Sequence, residues 1–129
     1  MNKIAVMQPY LFPYLGYFQL IKNVDKLVFF DNVNFKKKGW VNRNFLRDKQ
    51  GSVMFSMPLK KASQNKLINQ IYISDISVFE KALLKKISHN YSKSKYYQYV
   101  RDILSDIFRE FDGQTVSDFN ILSTTRLSN

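Results

Sequence analysis

The chain of 129 residues has no cysteine, so it can hold neither a disulfide framework nor a thiolate metal site, and a reducing compartment leaves its folding untouched. It has a single histidine, His89, late in an amphipathic segment and near that segment's polar border. With no second histidine to share a metal, zinc lacks a donor set, and nucleophilic catalysis of the Ser-His-Asp type has no good arrangement. Negative charge is short as well: ten Asp and Glu face twenty Lys and Arg, a formal net charge of +10. Long apolar runs are missing. The one near residues 4–7 is too short for a signal peptide or a membrane span, which predicts a cytoplasmic protein that does not insert into membranes.

Hydrophobic residues make up 45% of the chain and aromatics 16%, the composition of a globular protein rather than of a disordered one. The length suits one domain, residues 1–129, burying roughly two-thirds of its unfolded surface. The cations are unevenly spread: nine Lys and Arg lie between residues 36 and 66, opposed by Asp48 alone. Such a segment is either a solvated, lysine-rich face or a surface that gathers phosphates, whether on a nucleotide, a cofactor, RNA or a lipid headgroup. Charge alone does not choose among them. The Lys85-Lys86 pair reads most simply as solvated.

Periodicity predicts an α/β fold with an N-terminal βαβ unit, a partly parallel or mixed sheet, a basic hairpin region and two C-terminal amphipathic helices. Lys3–Met7 reads as a short buried strand, ended by Gln8 and Pro9 because proline cannot donate to a ladder. Pro13 suits the first turn of a helix that runs to about Asn23, and Leu27–Phe30 is a second apolar run. Strand, helix, strand permits a parallel pair with a right-handed crossover. DNVNFKKKGWVNRN reads as loop, turning at Gly39. Asn44–Arg47 and Ser52–Met57 suit a hairpin around DKQG, and Ile68–Ile73 is β-like. Two amphipathic helices follow, one capped by Asp75 or Ser77 and one by Ser94, both with faces that read as plain core. The stretch from Gln114 reads as the start of a helix that the chain ends before completing.

The chemistry-bearing residues gather at the carboxyl ends of the first two strands, where open parallel sheets usually bind ligands. Gln8, Pro9, Tyr10 and the Pro13 helix follow strand one; Asp31, Asn32 and Asn34 follow strand two. The helix N-terminus near Tyr14–Gly16 favours an anion, Gly16 permits close approach, and Tyr10, Tyr14 and Tyr17 offer stacking surface with a polar tip. The competing structural reading has these tyrosines capping a core and the prolines shaping a loop. Lys38 and Arg43 could hold phosphates, Trp40 could stack on a base or sugar ring, and Asn42 and Asn44 could bond sugar hydroxyls. Asp31 is the candidate general base, although an Asp at a strand end is commonly a turn or cap residue. Asp31 with substrate phosphates leaves room for magnesium, which no spacing demands; no other metal or cofactor is indicated.

MQPYLFPYLGYFQLI, VDKLVFFDNVNFKKKGWVNRN and MPLKKASQNKLI together resemble the WbqC-like family, encoded in bacterial O-antigen and surface-polysaccharide gene clusters. The resemblance runs over roughly residues 3–100 of a chain shorter than most members. It implies a cytoplasmic role in lipopolysaccharide precursor synthesis, with a transferase activity placing glycine or another acyl group on a nucleotide-linked amino sugar. The partner would then be a nucleotide-sugar or other phosphorylated small molecule. The strand, proline loop and helix also resemble the first unit of HIGH-motif nucleotidyltransferases, with Tyr17 where a histidine would be needed. Two readings from other classes stand beside these. One is a nucleic-acid-binding module in which the basic segment combines with Phe35, Trp40, Phe45 and Tyr72; the other is a noncatalytic partner of a glycosyltransferase.

Overall fold

The computed structural model describes residues 2–129. Strand β1 (Ile4–Met7), helix α1 (Leu15–Lys22) and strand β2 (Lys26–Phe29) form a βαβ unit, and β1 and β2 pair in parallel from Ile4 opposite Lys26 to Met7 opposite Phe29. The α/β expectation and its parallel N-terminal pair are borne out. The remaining strands do not join this pair. β3 (Arg43–Asp48) and β4 (Gly51–Ser56) form an antiparallel hairpin, and β5 (Leu59–Lys60) and β6 (Tyr72–Ile73) a short antiparallel pair, so the described residues form three two-stranded sheets rather than one continuous mixed sheet. Gly51 sits at φ +132°, the backbone that its lack of a Cβ allows and that the hairpin turn requires.

Helices α2 (Ile76–Tyr91), α3 (Tyr97–Glu110) and α4 (Val116–Leu127) close the fold. Asp75 caps α2, its Oδ1 accepting from the Ser77 and Val78 amides at 3.1 and 3.3 Å. Ser94 does not cap α3 with its side chain; it offers its carbonyl to the Tyr97 amide instead. The helix expected to begin near Gln114 is present as α4 and runs to Leu127. Thr115 opens α4, its Oγ1 accepting from the Asp118 amide at 3.1 Å while the Asp118 carboxylate turns back to the Thr115 amide.

The main core gathers Leu11, Phe55, Met57, Ile71, Phe79, Leu83, Ile107 and Phe119 with their neighbours. Phe119 lies at its centre, in ring contact with Phe12, Phe79, Phe108 and Phe111 at centroid separations of 6.0, 6.3, 5.3 and 5.3 Å. Both amphipathic helices turn core residues inward, Phe79, Leu83 and Ile87 from α2 and Leu104, Ile107 and Phe108 from α3. β1 is not the buried strand its composition predicts. Ile4, Val6, Val28 and Phe30 stand exposed on one face of the parallel pair, and half-buried Ala5, Met7, Leu27 and Phe29 occupy the alternate positions. No helix among the described residues is long and apolar enough to cross a membrane.

Candidate functional site

The loop between β1 and α1 is pinned to the loop before β3 by three sets of backbone contacts. The Leu11 amide donates to the Trp40 carbonyl at 2.9 Å. Asn44 Nδ2 donates to the Leu11 and Phe12 carbonyls at 3.1 and 2.8 Å, and its Oδ1 accepts from the Phe45 amide. From α4, fully buried Asn120 spans the two loops, its Nδ2 donating to the Pro9 carbonyl at 3.2 Å and to the Val41 carbonyl at 2.8 Å. These bonds hold Phe12 at φ +46°, a left-handed backbone that costs a non-glycine residue about 1–2 kcal/mol. Strain of this kind persists only where the surroundings over-determine it, and here three polar clamps do.

The clamps frame a cavity of about 220 Å³ lined by Tyr10, Pro13, Tyr14, Trp40 and Asn44. Three of the sequence candidates, Tyr10, Tyr14 and Trp40, thus meet around one space. Tyr14 and Trp40 are 66% and 49% exposed, so a ligand reaches their faces without the core opening. Trp40 is steadied edge-on by Phe45 at 6.2 Å. The walls are chiefly ring and aliphatic carbon, suited to the flat face of a base or the C–H face of a sugar. The lysines of the 36–38 turn are exposed, and Lys38 adopts φ +60° where Gly39 was expected to make the turn.

Other candidates have structural duties. Tyr17 is sealed inside, its hydroxyl donating to the Gln8 carbonyl at 2.7 Å. Burial, then the neighbouring Tyr10, pushes its phenol well above the ordinary tyrosine range. It presents no face to a ligand. Gln8 takes part through its carbonyl. Gly16 is covered by its own neighbour: an added Cβ would lie 2.5 Å from Tyr14 Cε2, so the close approach it permits is that of the Tyr14 ring. Asn42 is bound to Met57, Nδ2 to carbonyl at 3.2 Å and carbonyl to amide at 2.7 Å. Arg43 folds back on its own turn, Nε donating to the Gly39 carbonyl at 3.3 Å and the guanidinium also to the Lys38 carbonyl, rather than presenting a free fork.

Asp31 does not line the aromatic cavity. The Phe30 amide donates to the Met7 carbonyl at 2.8 Å, so the two strand ends are adjacent as expected, and both trailing loops reach α4 through Ser117 and Asn120. Asp31 Oδ2 accepts from the buried Ser117 hydroxyl at 2.7 Å, three residues before Asn120 and therefore on the same helix face as the clamp on Pro9. The Asp31 carbonyl accepts from the Asn69 amide at 3.1 Å. Ser117 and Asn120 were not anticipated as site residues. The Thr115-x-x-Asp118 spacing that announces a helix start, followed by polar residues at three-residue intervals, was the available signal.

The sequence profile of the WbqC-like protein family matches residues 8–129. The chain belongs to the WbqC-like protein family. The match includes α4, so the tail beyond residue 100, which the sequence resemblance left out, is part of the family pattern. An uncharacterized relative, Rv1507c of Mycobacterium tuberculosis (strain ATCC 25618 / H37Rv), is 30% identical over 121 residues, covering 93% of this chain and 52% of that protein. The chain thus spans about half the length of this relative. No solved structure gives a significant match.

Proposed function

We propose that this WbqC-like chain binds a nucleotide-linked amino sugar in the cavity beside Trp40 and takes part in placing glycine or another acyl group on it during bacterial surface-polysaccharide (O-antigen) synthesis. The observation that carries the reading is the pinned cavity, where Tyr10, Tyr14 and Trp40 present rings from two loops clamped by Asn44 and Asn120. Pre-organised rings spend little entropy on binding. The exposed lysines of the 36–38 turn precede Trp40 in the chain, with Gly39 between, and suit the phosphates of such a ligand. A nucleotide-linked sugar is longer than this cavity, and its amine would extend towards the strand ends, where Asp31 is the general base. In the transfer, the amine attacks the acyl carbonyl, Asp31 takes the proton, and the bond from the acyl carbon to its leaving group breaks. The Ser117 hydroxyl on Oδ2 fixes the carboxylate.

Trp40 is the only tryptophan, so its emission reports on the cavity. Titration with a UDP-linked amino sugar is expected to change that emission saturably, with affinity about tenfold weaker in Tyr14→Ala through loss of a stacking face. Binding that fails to saturate, or that ignores Tyr14→Ala, removes the proposal. Asp31→Asn is expected to retain ligand binding and abolish acylation of the sugar, read by mass spectrometry; retained acylation removes Asp31 from the role of base.

A further inference from the structure

A cleft of about 550 Å³, within the range of small-molecule sites, opens between the tip of the β3–β4 hairpin and α2, away from the residues of the aromatic cavity. Val53 and Ala82 give it an apolar patch. Lys49, Lys85, Lys86 and His89 line it, with Asp48 as the one carboxylate. Asp48 Oδ1 is already occupied by the Gln50 amide at 2.9 Å, and Lys86 Nζ reaches the Met54 carbonyl at 3.3 Å. Lys49, Lys85 and His89 have no carboxylate partner, since the ion pairs among the described residues are Arg109–Asp106 and Arg126–Glu110. A second depression between α2 and α3 continues from the first, sharing Lys85 and His89 and adding Lys81 and Arg101.

The helix itself shows that this concentration of cations is not neutral for the free protein. Lys81, Lys85 and His89 recur every four residues on α2, stacking along one stripe at about 6 Å per step. The helical neighbours of Lys85 at three and four residues are Lys81, Ala82, Ser88 and His89, without an acid among them. The like charges of Lys81 and Lys85 at that spacing weaken a helix, and an anion laid along the stripe reverses the penalty.

We propose that this cleft is a second binding site, for a ligand carrying two or more phosphate groups. Lys49, Lys85 and His89 hold the phosphates, and Val53 and Ala82 take the organic portion. The diphosphate is the recognised chemistry, whether it belongs to a soluble nucleotide or to the headgroup of a prenyl diphosphate at a membrane surface.

His89 being the only histidine, its ring protons give unambiguous NMR signals in the full chain. Inorganic pyrophosphate is expected to shift them saturably. Lys85→Gln should weaken the affinity about tenfold, the loss of one charge-assisted contact, and Lys60→Gln, the same charge change on β5, should leave it unaltered. Lys85 is exposed, so circular dichroism should show both variants folded. Competition by UDP assigns the site to soluble nucleotides, and competition by phosphatidylcholine vesicles doped with a prenyl diphosphate assigns it to lipid; either keeps the site. The proposal is overturned if the His89 signals do not saturate, if Lys60→Gln weakens binding as much as Lys85→Gln, or if a single-stranded oligonucleotide binds where pyrophosphate does not. Because Trp40 lines a different cavity, an unchanged Trp40 emission during this titration separates its outcome from that of the sugar-binding reading.

Discussion

At Tyr17 a residue type suited to ligand contact is spent on structure. Its ring fills the one fully buried position of α1, and its hydroxyl satisfies the Gln8 carbonyl at a strand end where the ladder offers no donor. Because burial raises the folded-state pKa above the unfolded value of about 10, the stability that Tyr17 supplies is fully present below that pH and is lost as pH rises beyond it. Tyr17→Phe is therefore expected to lower stability by about 1 kcal/mol at neutral pH through the lost hydrogen bond, and to flatten the fall of Tm above about pH 10. Thermal melts across that range check it; an alkaline limb as steep as the parent's assigns the sensitivity elsewhere. Asn42, Arg43 and Asn44 follow the same logic. Their donors suit sugars and phosphates, but an irregular loop leaves backbone carbonyls that need donors too, and composition cannot say which claim is met. Tyr10, Tyr14 and Trp40 were legible as a ring-lined surface because no backbone group competes for a ring face.

Elements were legible where one period dominates. The hairpin declared itself through Gly51, and α2 and α3 through apolar residues at three- and four-residue spacing. α4 was legible only at its start because its buried face is polar: Ser117, Asn120, Ser123 and Thr124 are buried alongside Val116 and Phe119. Their partners include the Asp31 carboxylate and the Pro9 and Val41 carbonyls, contacts across 79 to 111 residues that no local pattern encodes. The burial is imperfect, since Asn120 Oδ1 and Thr124 Oγ1 have no protein partner. The turn into α4 depends on packing more than on dihedral freedom. A Cβ on Gly113 would stand 2.8 Å from Asp118 Cβ and 2.9 Å from Phe111 Cε1. Gly113→Ala is expected to destabilise the protein by about 1–3 kcal/mol, measured by urea denaturation. A neutral result would mean that Asp118 and Phe111 give way freely.

For the whole molecule the governing imbalance is charge. The two ion pairs among the described residues join arginines of α3 and α4 to nearby acids, leaving the lysines of the 36–38 turn and the hairpin region outside any ion pair. A chain at +10 repels itself, and salt screens that repulsion between charges farther apart than a Debye length of about 8 Å at physiological ionic strength. Raising sodium chloride from low to physiological concentration is therefore expected to raise Tm, the opposite of a fold held by surface ion pairs; differential scanning fluorimetry decides, and a fall in Tm refutes the charge argument. The exposed face of β1 and β2 also belongs to this scale. Parallel strands ordinarily have both faces covered, and this WbqC-like chain spans about half of its curated relative.

The Asn120 clamp sets an order of events during synthesis. Tyr10 and Trp40 leave the ribosome long before the amide that ties Pro9 to Val41 has been made. The nascent polypeptide carries the Pro9–Val41 span without this clamp until α4 emerges, and closing so wide a span is slow. This clamp thus closes late, as the first turns of α4 settle into place.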